Sequence, residues 1–138
     1  MIKFTILGEP VAQGRPRAGI RNGKVNMRDP MKSRNFKQYV RLVASQNAPE
    51  ELLEGPLFLE VKVYKPLLKK FSKKKRLEAE QGLIRPATKP DVDNYAKGIL
   101  DGLNSVLWKD DNQVVDLHVS KWYSEKPRIE VTVKELNE

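Results

Sequence analysis

The chain has 138 residues, with 26 Lys and Arg against 18 Asp and Glu, a net charge of +8, one histidine and no cysteine. This length predicts one domain spanning residues 1–138, and the missing thiols exclude disulfides, zinc–thiolate sites and cysteine nucleophiles together. The charge is divided: 20 basic against 8 acidic residues give +12 in residues 1–90, and 6 against 10 give −4 in residues 91–138. That division fits either ordinary solvated surface or a polyanion-binding face around an acidic centre.

Residues 2–7 alternate apolar and polar side chains, which predicts a strand and not a signal peptide. No stretch approaches the roughly 20 apolar residues of a membrane span, so a cytoplasmic protein is expected. Residues 8–28 contain Gly8, Gly14, Gly19 and Gly23 with Pro10 and Pro16, and read as a long loop or loose hairpin carrying Arg15, Arg17, Arg21, Lys24 and Arg28. Asp29 and Pro30 give a helix start. Phe36, Val40 and Val43 form the apolar face of that helix, Arg34, Lys37 and Arg41 the polar one, and Pro49 ends it.

Residues 57–64 alternate cleanly and predict a second strand. A basic run follows from Lys69 to Arg76, and its continuation to Gln81 has helix-forming composition. Residues 92–107 carry a helical period through Val92, Tyr95, Ile99, Leu103 and Val106. Residues 113–123 and 128–134 alternate as two strands with a turn at Glu125, Lys126 and Pro127, the pattern of a hairpin. The expected architecture is α+β, with a mainly antiparallel or mixed sheet of about four strands and two to three helices.

Both acidic segments flank the 92–107 helix. At about 100° per residue, Asp93, Lys97, Asp101 and Asn104 share the face opposite Val92, Ile99 and Leu103. Asp91 follows Pro90 and suits an N-cap, from which its carboxylate can swing toward Asp93. Asp110 and Asp111 lie at the far end of the helix, and reach the other two only if the next strand folds back beside the helix N-terminus. An all-oxygen donor set of this kind suits magnesium or manganese better than zinc, and Lys97 is placed to meet a phosphate oxygen. The same residues also fit a plain structural account: an N-cap, a first-turn acid, an i to i+4 ion pair and a turn.

Lys89-Pro90-Asp91-Val92-Asp93-Asn94, followed by Lys97, Asp101 and Leu103 and then by Trp108, Asp110-Asp111, Gln113, Val114 and Val115, closely resembles the RusA family of Holliday junction resolvases common in prophages. Gly8-Glu9-Pro10-Val11 with Gly14-Arg15-Pro16-Arg17 is similar to the opening of its phage-type members. The resemblance implies a homodimeric, magnesium-dependent endonuclease that cuts paired strands of a four-way junction and leaves ligatable nicks for recombination and repair. It places metal-binding aspartates at Asp91, Asp93 and Asp111 and an essential lysine at Lys97, with Asp101 and Asp110 in possible support.

Arg15 and Arg17 are expected DNA contacts, because a Gly/Pro-shaped loop can present rigid guanidinium groups to phosphates. Lys73, Lys74, Lys75 and Arg76 are either further DNA contacts or a solvated helix face. Trp108 reads as a core anchor, and His118 as a strand residue without a catalytic role. A non-catalytic branched-DNA-binding protein is the main alternative. Single-strand or RNA binding comes third, for want of an aromatic platform.

Overall fold

In a computed structural model of the chain, residues 1–12, 17–21, 24–28 and 31–136 are described. Strand β1 (Ile2–Leu7) is followed by the antiparallel pair β2 (Arg17–Arg21) and β3 (Lys24–Arg28), so the glycine-rich segment does contain a hairpin. Helix α1 (Met31–Ser45) comes next; its expected cap, Asp29-Pro30, lies outside the described residues. Then follow β4 (Leu57–Pro66), α2 (Lys73–Glu80), α3 (Val92–Leu103), a short 3-10 turn at Asp111–Gln113, β5 (Val114–Ser124) and β6 (Arg128–Glu135).

The main sheet has the order β1-β6-β4-β5. β4 is antiparallel to β6 and parallel to β5, so the sheet is mixed. This corrects the hairpin expected of residues 113–134, since β5 and β6 flank β4 without pairing. The link of three residues suffices, because strands two places apart are about 9.6 Å from each other and four Cα steps reach about 13 Å. Burial explains the insertion. Leu57, Leu59, Val61 and Val63 of β4 are completely buried, which favours a central strand with a neighbour on each edge. The parallel β4–β5 pair in turn needs a long crossover, and residues 67–113 supply it with α2 and α3.

Phe36, Val40 and Val43 of α1 and Tyr95, Ile99 and Leu103 of α3 pack into one core with the inner face of the sheet. The polar face of α1 is used as well. Arg41 donates to the carbonyl of Asn104 at 3.0 Å and approaches that of Gly102 at 3.5 Å, supplying donors where the end of α3 leaves carbonyls unpaired.

α3 stops at Leu103, not at residue 107 as the periodicity predicts. Asn104 is extended, Ser105 has φ 67°, and the fully buried Trp108 folds under the helix end with Nε1 donating to Asn104 Oδ1 at 2.7 Å. Trp108 is therefore the core anchor expected. Its tertiary seat, together with the left-handed residue, overrides a helical pattern that Val106 merely continues.

Candidate active site

Between α3 and β5 lies a cavity of about 480 Å³. Asp93, Lys97 and Asp101 enter it from successive turns of α3, and Asp111 from the turn that precedes β5. Ala96, Leu100, Leu117 and Val119 provide apolar lining. Val92 also lines it and is 41% exposed, which corrects its assignment to the core face.

Each acid is set by its local chain. Asp91 is the N-cap residue of α3, with φ −73° and ψ 157°, yet its side chain makes no capping hydrogen bond. Its carboxylate is exposed and is not among the groups lining the cavity. Asp93 stands in the first helical turn, where the N-terminal dipole favours its charge. Asp101 makes a 3.7 Å ion pair with Lys37 of α1. Asp110 and Gln113 close a capping box: Gln113 Oε1 accepts from the backbone N–H of Lys109 and Asp110, while Nε2 donates to the carbonyl of Leu53 at 3.0 Å. This anchors the turn that presents Asp111.

The Asp111 carboxyl titrates above its ordinary value, first because Asp110 hydrogen-bonds to it, then through burial and the charges of Asp110 and Asp101. A bound cation would relieve that crowding, so the donor chemistry suits a hard divalent ion. The acids are strung out, however. Eight residues of helix place Asp101 about 12 Å beyond Asp93, and it is Asp101 whose charge Asp111 feels. Among the described residues, no three His, Asp or Glu side chains are grouped closely enough to hold one ion. The condition that the strand fold back beside α3 is met: Lys121 of β5 donates to the carbonyls of Thr88 at 2.8 Å and Pro90 at 3.0 Å, immediately before Asp91. Asp111, however, precedes the strand and stays at the other end.

The basic candidates fall elsewhere. Lys73, Lys74 and Lys75 are exposed on α2, whereas Arg76 is half-buried and its Nε donates to the carbonyl of Phe71 at 3.3 Å. Arg15 lies outside the described residues, and Arg17 begins β2. His118 is exposed, with its ring 5.2 Å from that of Phe58. Two groups near the site escaped sequence reasoning, Lys65 and Lys121. Their signal was only their place near the ends of strands, which does not say what a long side chain reaches.

The family profile for endodeoxyribonuclease RusA matches residues 8–134. The chain belongs to the RusA family. It is also similar to the uncharacterized protein YqaN of Bacillus subtilis (strain 168), 64% identical over 138 residues that cover 99% of this chain and 97% of that protein. The family match encloses every acid and lysine of the cavity. Among the described residues, no helix is long and apolar enough to cross a membrane.

Proposed function

We propose that this RusA-family chain is a magnesium-dependent, structure-selective endodeoxyribonuclease that resolves four-way DNA junctions by paired cuts, as a homodimer, with manganese as a substitute ion. The observation that carries this reading is the convergence of Asp93, Lys97, Asp101 and Asp111 on one open cavity. Binding a polyanion gains nothing from carboxylates that line one cavity, so a binding-only role leaves them unexplained.

Asp91 and Asp93 would hold the ion at the N-terminus of α3, with Asp111 as the third carboxylate. When bound, the ion supplies Lewis acidity toward the phosphodiester and lowers the pKa of a water. Lys97, one turn beyond Asp93, contacts a non-bridging phosphate oxygen and offsets charge that develops there.

The separation of Asp111 from Asp93 favours a site completed by a second copy. β5 is an edge strand, with Val115 60% and Leu117 44% exposed. Arg85 Nε donates to the carbonyl of Lys121 at 2.7 Å, which covers the far end of that edge and leaves the part around Leu117 open. Antiparallel self-pairing about Leu117 sets Asp116 opposite His118 and Val115 opposite Val119, a complementary register. Because β5 runs from the C-terminal end of α3 back to its N-terminal end, this pairing carries the partner's Asp111 toward Asp91 and Asp93. Paired sites across a two-fold axis also match the approximate symmetry of a four-way junction.

The test is to incubate the protein and magnesium with labelled four-way junction, replication fork and linear duplex, and to map the cuts. Symmetric paired nicks in the junction, lost in Asp91→Asn, Asp93→Asn and Asp111→Asn variants that still bind it, are expected. Near-parental cutting by a folded Asp93→Asn variant refutes the site.

A further inference from the structure

The three carbonyls that lead into Asp91 are all held by lysine. Lys121 Nζ donates to Thr88 O and Pro90 O, and Lys65 Nζ donates to Lys89 O at 3.0 Å. Lys65 of β4 lies opposite Tyr123 and Lys121 of β5 opposite Val63, so the two lysines are two positions apart on adjacent parallel strands, and the segment is tied to the sheet. The arrangement has an electrostatic cost. The Lys65 ammonium titrates below its ordinary value, chiefly through burial and then through the charge of Lys121, with Glu9 acting in the opposite sense. Two like charges are thus kept close on a half-buried surface, and the carbonyl hydrogen bonds together with the charge of Glu9 offset their repulsion.

The strand end that bears Lys121 is itself fixed. Arg85 hydrogen-bonds to the Lys121 carbonyl, and its guanidinium lies 3.4 Å from the centre of the Trp122 ring. Among the described residues, the carboxylate of Asp91 makes no capping bond to the helix. Its direction therefore follows the path of the chain that enters it.

We propose that Lys121 and Lys65 are positioning residues, whose ammonium groups clamp the carbonyls of residues 88–90 to the sheet and so preset Asp91 at the head of α3 for a divalent cation. This rests on the acidic-centre reading above and assigns roles to two residues outside it. The sign of the effect separates positioning from charge. Two ammonium groups near a cation site repel the cation, so deleting one would tighten metal binding if charge were all that mattered. If the lysines position the carboxylate, deletion weakens binding, by about 10- to 100-fold as for other outer-shell partners of metal ligands.

The experiment titrates Mn²⁺ into the full-length protein without DNA, by calorimetry and by the electron paramagnetic resonance signal of free Mn²⁺. It compares parental protein with Lys121→Met, Lys121→Arg, Lys65→Met and Asp93→Asn. Lys121→Met is expected to lose about 10- to 100-fold in affinity, Lys65→Met less because it holds one carbonyl in place of two, and Lys121→Arg to keep most of the affinity because a guanidinium can span both acceptors. Thermal melts report folding, and Lys65→Met carries the test should Lys121→Met fail to fold. Parental or tighter binding by the folded methionine variants overturns the positioning role alone, provided that Asp93→Asn abolishes binding. Parental protein that binds no Mn²⁺ overturns the acidic-centre reading and the clamp with it.

Discussion

Two inactive variants should restore each other. If Asp91 and Asp93 of one chain work with the partner's Asp111, a heterodimer of one Asp93→Asn chain and one Asp111→Asn chain gathers both lesions into one site and leaves the other intact. The geometry behind this is the span of about 12 Å along α3 between Asp93 and Asp101, with the Asp111 carboxyl raised by the hydrogen bond and charge of Asp110 and by the charge of Asp101. Co-expression with two affinity tags and sequential purification isolates the heterodimer. Its nicking of a labelled junction should run at about half the parental rate, one of two symmetric sites being whole, while paired cutting stays absent. Either homodimer should nick at background. A heterodimer as inactive as both homodimers means that Asp93 and Asp111 of the same chain serve the same site, and refutes the shared arrangement while leaving the chemistry of the acids intact.

Three further outcomes follow from the same geometry. Leu117→Cys should form a disulfide-linked dimer on mild oxidation, because a hydrogen-bonded antiparallel pair has Cα atoms about 5.5 Å apart, within disulfide reach, and the chain has no other cysteine; a protein that stays monomeric in light scattering and does not cross-link rules out the β5 interface. Asp111→Asn should raise the melting temperature of metal-free protein near neutral pH. The raised folded-state pKa means that the group favours folding below its ordinary value of 3.8 and loses that contribution as pH rises through the raised value, so the gain should vanish in acid, and an unchanged melt at neutral pH contradicts the crowding. Gly102→Ala should destabilise the fold, because the new Cβ stands 2.8 Å from Cγ1 of the fully buried Val40; an overpacking cost of about 1–3 kcal/mol outweighs a helix-propensity gain of about 1 kcal/mol, and a urea melt showing a gain refutes the tight α1–α3 contact.

The residues proposed for the site were legible in the sequence because their signals are local. Asp93, Lys97 and Asp101 recur at helical spacing, so any helix there presents them on one face, and the structure brings all three to one cavity with Asp111. The alternation in residues 57–64 likewise determined a strand whatever it paired with, and Ser72 accepting from the N–H of Lys75 shows why a helix begins just inside the basic run.

Pairing partners, helix ends and reach were decided elsewhere. Alternation fixes which face of a strand is buried and says nothing about its neighbour, so β5 and β6 read as a hairpin until the full burial of Leu57, Leu59, Val61 and Val63 put β4 between them. The 3.6-residue period continues past Leu103, but the seat of Trp108 against Asn104 ends the helix there. Whether Asp111 meets Asp93 depends on the path of the crossover from α3 into β5, and whether Lys121 reaches the carbonyls before Asp91 depends on two strands lying side by side. Local sequence sets the conformations and faces of these elements; the distances between them arise only when the whole chain shares one core.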